Sequence, residues 1–112
     1  MDLLARHCKE LPKGTPALSG SALAPYLAAL SSRWKAVDDR HLEATFEFKD
    51  FLGALAFTNQ AGGVAEAEGH HPEITLTWGK ATVRIWTHSI GGLSENDFIL
   101  AARLDGLGVK QP

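Results

Sequence analysis

The hydrophobic pattern of this chain changes period repeatedly, and those changes limit the fold more than any single residue does. Leu23, Tyr26, Leu27 and Leu30 recur at helical spacing. From Trp34 the period becomes two: Leu42, Ala44, Phe46 and Phe48 alternate with Glu43, Thr45 and Glu47, the pattern of a strand with one buried and one wet face. Trp34 to Val37 precedes it across the polar turn Asp38-Asp39-Arg40, so the pair reads as a hairpin. A helix is predicted from about Phe51 to Glu68. The alternation then returns with Ile74, Leu76 and Trp78, and again with Val83 and Ile85. A last helical stretch carries Phe98, Ala101, Ala102 and Leu104. The order α-β-β-α-β-β-α predicts an α+β domain, with a four-stranded antiparallel sheet bearing three helices on one face.

Local signals set the boundaries. Pro12, Gly14 and Pro16 make residues 1–18 an irregular lead-in. Ser19 or Ser21 is a candidate cap for the first helix, yet Pro25 would then sit inside it, so the helix either starts late or kinks. Asp50 is suited to cap the second helix, whose buried side is expected to include Leu52, Leu55, Ala56 and Ala65. Gly62-Gly63 lies in its centre, where each glycine costs about 1 kcal/mol relative to Ala. Packing against a neighbouring helix would compensate, and a local break is the simpler reading. Gly79-Lys80 fits a two-residue turn with glycine first, which sends Thr82, Arg84, Trp86 and His88 to the polar side. Ser94 with Asp97 three residues on reads as an aspartate version of the capping box.

The bulk properties exclude several classes. A chain of 112 residues makes one domain with one core. Eleven basic against thirteen acidic residues, with no basic block, argue against phosphate neutralisation and direct nucleic-acid binding. The single cysteine, Cys8, excludes an internal disulfide and a thiolate zinc site. The longest apolar stretch, Ala22 to Leu30, is too short to span a bilayer and contains Pro25. The first residues lack the pattern of a signal peptide, so no membrane role and a cytoplasmic location are expected.

Chemistry concentrates between Glu66 and His88. His70-His71-Pro72 follows the second helix, and His88 waits beyond a strand, a turn and a second strand. Three imidazoles and a carboxylate there suggest proton transfer, because histidine alone has an unperturbed pKa, about 6.5, that lets it give and take a proton near neutrality. The plain reading of His70 and His71 is a capping pair at a helix C-terminus. Glu66 reads equally as a solvated helix charge. His7 lies in the lead-in and His41 in a charged hairpin, and both are poorer candidates. A zinc or iron site is the rival chemistry. Against it, adjacent residues in extended backbone point to opposite faces, and a HHP triplet has neither the helical nor the strand spacing of a ligand pair. No Gly-x-Ser-x-Gly elbow is present, and Gly91-Gly92 is too short for a phosphate loop.

Glu66 is followed after three residues by His70-His71-Pro72, after five more by Trp78, after nine more by His88 and after eight more by Asp97. This spacing resembles the signature of the pterin-4a-carbinolamine dehydratases. The resemblance runs from about Trp34 to Asp105, taking in Phe46-Glu47-Phe48-Lys49-Asp50-Phe51, Thr87-His88 and Gly91-Gly92-Leu93-Ser94-Glu95-Asn96-Asp97. Thr58-Asn59-Gln60 and Gly62-Gly63 are unusual for it. It implies dehydration of 4a-hydroxytetrahydropterin to quinonoid dihydropterin, in the recycling of a tetrahydropterin cofactor, without a metal or bound cofactor. It also implies His70 and His88 as the acid–base pair and His71 chiefly as a substrate holder. Glu66 would tune or orient an imidazole, Trp78 and Trp86 would wall the flat pterin, and Asp97 would complete the motif. Trp78 reads equally as core, since it shares a face with Ile74 and Leu76, and Asp97 as a cap. The expected assembly is a homotetramer, a dimer of dimers. The alternative is a non-catalytic pterin-binding or protein-interaction role, since members of this family also serve as dimerisation cofactors of a homeodomain transcription factor.

Overall fold

A computed structural model describes residues 1–109. Its elements are α1 (Ala24–Ala28), β1 (Lys35–Val37), β2 (His41–Glu47), α2 (Phe51–Glu68), β3 (Glu73–Thr77), β4 (Lys80–Ile85) and α3 (Glu95–Asp105), with short 3-10 turns at Leu3–Ala5, Gly20–Leu23 and His88–Ile90. The α+β class and element order expected from the periods are those found. The sheet runs β1-β2-β4-β3 and every neighbouring pair is antiparallel.

One face of the sheet is dry. Leu42, Ala44 and Phe46 of β2 and Ala81, Val83 and Ile85 of β4 are buried under Phe57 of α2 and Phe98, Ile99 and Leu100 of α3. Phe46 stacks on Phe57 with ring centroids 4.3 Å apart. Burying one such ring stabilises the fold by about 1.5–3 kcal/mol. The other face carries rows of compensated polar groups. Arg84 donates from Nε to Glu43 Oε1 at 2.8 Å and lies 3.6 Å from Glu73, while Thr45 and Thr82 bond at 3.2 Å.

Several local expectations need correction. The first helix starts late: the 3-10 turn leads into α1, and Pro25 falls in the first turn, where its missing N–H costs nothing. Ser19 precedes that turn without a side-chain capping bond. In α2 the buried stripe is Ala54, Phe57, Ala61 and Ala65, whereas Leu52 is 71% exposed and Ala56 is also exposed. The stack of Phe57 on Phe46 fixes this rotation of the helix. Asp50 caps α2 by accepting from the Gly53 N–H at 2.8 Å, and α2 runs unbroken through Gly62 and Gly63.

The second hairpin turn lies one residue earlier than expected. Thr77 pairs with Lys80, so the loop is Trp78-Gly79, and Gly79 occupies its second position with φ 74°. A Cβ there would also lie 3.1 Å from the Phe48 carbonyl oxygen. The shift takes Trp78 out of the strand, and it is 70% exposed rather than core.

The lead-in is irregular but docked. Leu3 is buried, Leu18 bridges to Leu93, and Arg103 of α3 donates to the Arg6 carbonyl at 2.6 Å. His7, in this lead-in, meets Glu68 at 2.9 Å.

Candidate active site

Antiparallel pairing of β3 with β4 carries the residues before Glu73 and those after Ile85 to the same end of the sheet. At that end α2 terminates at Gly69, whose φ of 65° turns the chain out of the helix, and the His70 N–H closes the cap on the Ala65 carbonyl at 3.2 Å. The cap aims His70 inward and leaves His71 outside.

His70 Nε2 meets Asp97 Oδ1 at 2.5 Å. Asp97 is fully buried, and its other oxygen accepts from the Ser94 N–H at 2.8 Å and from the Thr87 hydroxyl at 3.0 Å. The Ser94 hydroxyl completes the cluster 2.7 Å from Thr87 Oγ1. A buried carboxylate needs such donors, and here they come from the start of α3 and the chain after β4. With both other bonds donated into Asp97, the carboxylate accepts from His70 Nε2, which puts the neutral ring's proton on that nitrogen and leaves Nδ1 with a lone pair. The expected capping box is present, and Asp97 both caps α3 and anchors His70.

His70 lines a cavity of about 590 Å3 together with Gly69, Thr87, Ser89, Asn96 and the segment 8–11. Beside it, Glu68 accepts from the Cys8 N–H at 2.8 Å. Burial acts to raise the Glu68 carboxyl, but the Cys8 N–H, His7 and Arg103 outweigh it and hold it below the ordinary carboxylate value. Burial, with the Glu68 charge adding to it, pushes the Cys8 thiol up to about 12, so it is not a thiolate nucleophile.

The remaining sequence candidates lie at varying distances from this cavity. His71 meets Glu66 Oε2 at 2.8 Å, with both side chains largely exposed; the glutamate thus pairs with His71 and not with His70. His88 is exposed and lies on the Trp86 ring, centroids 4.5 Å apart. Trp86 itself borders a separate concavity of about 380 Å3 on the open face of the sheet, with His41 and Arg84. Among the described residues, no hydrogen bond or ring contact joins His71 or His88 to His70. Trp78 lies at the opposite end of β3, about 17 Å of strand away. Among the described residues, no group of three His, Cys, Asp or Glu is gathered for a metal ion. The sequence reading missed the wall formed by residues 8–11, Glu68 and Asn96. Only the adjacency of Asn96 to Asp97 hinted at it.

These features define a small α+β protein whose cavity holds one histidine anchored on a buried carboxylate. The sequence model of the family described as Pterin 4 alpha carbinolamine dehydratase matches residues 16–107. A protein of Alkaliphilus metalliredigens, provisionally named a pterin-4-alpha-carbinolamine dehydratase, is 45% identical over 104 residues, covering 93% of this chain and 94% of its own. A protein of Marinobacter nauticus with the same provisional name is 61% identical over 69 residues, 62% of each chain. A crystal structure titled transcriptional coactivator/pterin dehydratase from Brucella melitensis superposes with a TM-score of 0.75 at 34% identity, covering 82% of this chain and 98% of that one. The chain belongs to the pterin-4-alpha-carbinolamine dehydratase family.

Proposed function

We propose that this protein dehydrates 4a-hydroxytetrahydropterin to quinonoid dihydropterin, returning a tetrahydropterin cofactor to use. The observation that carries the reading is His70, held by buried Asp97 and lining a cavity in a chain of this family. In the reaction an acid protonates the 4a-hydroxyl, the carbon–oxygen bond breaks and water leaves. The adjacent ring nitrogen supplies the electrons of the new C=N bond, and a base takes a ring-nitrogen proton. One proton is given and one taken, which suits two histidines in opposite protonation states. His70 and His88 fill those roles, and His71, steadied by Glu66, holds the substrate. Asp97 has no exposed surface and therefore acts through His70. Trp86 supports the His88 ring.

The test is dehydration of a synthetic carbinolamine by chelator-treated protein, followed for each substrate epimer. Turnover should persist with chelator. His70→Ala and His88→Ala should each lower it strongly, because a positioned acid or base contributes roughly 10²–10⁴-fold, and the double variant should retain almost none. His71→Ala should act more on KM. Double-variant turnover equal to that of the unmodified protein would make these histidines structural.

A homotetramer fits the exposed surface. Phe51, Leu52 and Trp78 are apolar and exposed, and a Cβ at Gly62 or Gly63 would meet nothing within 4 Å, leaving room for a second helix to approach. Sedimentation yielding only a 12.1 kDa species at micromolar concentration would refute that assembly. An interaction role, like that in the Brucella melitensis protein's title, would draw on exposed apolar side chains of this kind. The mutually paired charges of the open sheet face favour a small-molecule partner over nucleic acid.

A further inference from the structure

We infer that Cys8 and Lys9, which precede the family-matched region, form a positioning strap for the active site: Glu68 at the end of α2 and Asn96 at the start of α3 grip the strap backbone, and this grip sets the His70–Asp97 hydrogen bond. Glu68 and Asn96 are thereby positioning residues for turnover. That consequence rests on the dehydratase reading; the geometry of the strap does not.

The two anchors flank the His70–Asp97 pair. Glu68 stands two residues before His70, and Asn96 immediately precedes Asp97. Glu68 Oε1 accepts from the Cys8 N–H at 2.8 Å. Asn96 accepts from the Lys9 N–H at 3.1 Å, donates to the Lys9 carbonyl at 2.7 Å and accepts the Cys8 thiol on its own carbonyl at 3.3 Å. With His70 on Asp97, these bonds close a ring that runs from α2 through the strap to α3 and back.

The ring matters because no second hydrogen bond joins the two helix ends directly. Among the described residues, His70 to Asp97 is the single hydrogen bond between residues 66–71 and residues 94–97. A lone bond follows every relative movement of the helices, and it weakens steeply once stretched or bent. The strap adds a tie one or two residues away on each side. The helix ends then cannot part without breaking several bonds together.

Docking of the N-terminal segment alone does not require this grip. Buried Leu3 and the bond from Arg103 to the Arg6 carbonyl already hold the segment against the rest of the fold. Glu68 pairs with His7 and Arg103 through Oε2, which leaves Oε1 for the strap. Asn96 and the Glu68 side chain are both buried, where polar atoms need partners, and the strap backbone supplies them.

The experiment reads the His70 ring and the turnover separately. Proton NMR follows the His70 Nε2–H, which lies far downfield while bound to a buried carboxylate and moves upfield as that bond lengthens. Lys9→Pro deletes the Lys9 N–H in a segment that belongs to no helix or strand, so the core should still fold. Lys9→Ala keeps that N–H. Glu68→Ala frees the strap from α2, whereas Glu68→Gln keeps an acceptor oxygen for the Cys8 N–H. Lys9→Pro and Glu68→Ala should each move the signal upfield and lower kcat roughly three- to thirtyfold, less than the roughly 10²-fold that a misplacement of about 1 Å can cost, with KM changed by less than about twofold. Lys9→Ala and Glu68→Gln should recover most of both. Since either change opens the same ring, Lys9→Pro combined with Glu68→Ala should be no slower than the slower of the two alone. A His70 signal unmoved in folded Lys9→Pro and Glu68→Ala proteins would overturn the inference, as would losses confined to KM or losses that multiply. Absence of turnover by the unmodified protein would instead overturn the dehydratase reading, while the NMR signal would still decide whether the strap sets the pair.

Discussion

In Asp97→Asn the side chain keeps its shape but exchanges one acceptor oxygen for an NH2 group. The native carboxylate takes two donors on Oδ2, from Ser94 at 2.8 Å and Thr87 at 3.0 Å, and one on Oδ1 from His70 at 2.5 Å. If the amide NH2 faced Ser94, two donors would confront each other in a fully buried site, at a cost of about 1–3 kcal/mol. The Ser94 donor is a fixed backbone N–H and cannot turn away. The amide oxygen therefore stays on that side and the NH2 faces His70. Nε2 must then accept, which moves the ring proton to Nδ1, and under the proposed mechanism a nitrogen free to act as base becomes a donor. Turnover should fall roughly 10²–10⁴-fold with little change in KM, the range lost when a base is removed or held in the wrong tautomer. Because Asp97 acts through His70, Asp97→Asn combined with His70→Ala should be no slower than His70→Ala alone. Stopped-flow dehydration kinetics give the rates, and nitrogen-15 NMR of the imidazole reports the tautomer. A folded Asp97→Asn protein within threefold of the native turnover, or losses that multiply in the double variant, would refute the reasoning.

Because Glu68 is held below the ordinary carboxylate value, its stabilisation of the docked N-terminal segment is present above that range and lost as pH falls through it. Hydrogen exchange at the Cys8 amide, corrected for its intrinsic rate, should therefore rise on acidification, and Glu68→Gln should remove that dependence. The Cys8 thiol is raised to about 12, so its contribution is present below the ordinary thiol range and is lost as pH rises towards 12. At pH 8 it should be alkylated far more slowly in the folded than in the denatured protein; equal rates would contradict this. Gly69→Ala meets no steric neighbour but forces alanine to a φ of 65°, so it should cost about 1–2 kcal/mol in denaturant unfolding.

Period alone gave the element order, because each strand buries one face and each change of period is a change of secondary structure. It failed where packing decides. The buried stripe of α2 does not follow from period, because Leu52 and Ala56 are as apolar as the buried Ala54 and Ala61, and only the stack of Phe57 on Phe46 selects the rotation. Period does not place the turn at Trp78-Gly79 either, because a glycine with positive φ fits either loop position, and the β4 register alone distinguishes them.

The return of the chain to one end of the sheet is legible because it is topological: a hairpin must bring the chain after β4 back to where β3 began, so His88 and His70 lie at the same end. Which carboxylate would serve which imidazole was not legible. One helical turn separates Glu66 from His70, and local spacing favours that pair. The left-handed Gly69 breaks the helical phase, however, so His71 swings onto Glu66 and His70 turns in to a carboxylate twenty-seven residues away. That exchange determines the chemistry. An exposed partner such as Glu66 exerts a solvent-screened influence on its imidazole, whereas a buried, thrice-bonded carboxylate fixes both orientation and tautomer. The residue at the end of the motif, which reads in sequence as a helix cap, is thereby the group on which the anchored histidine depends.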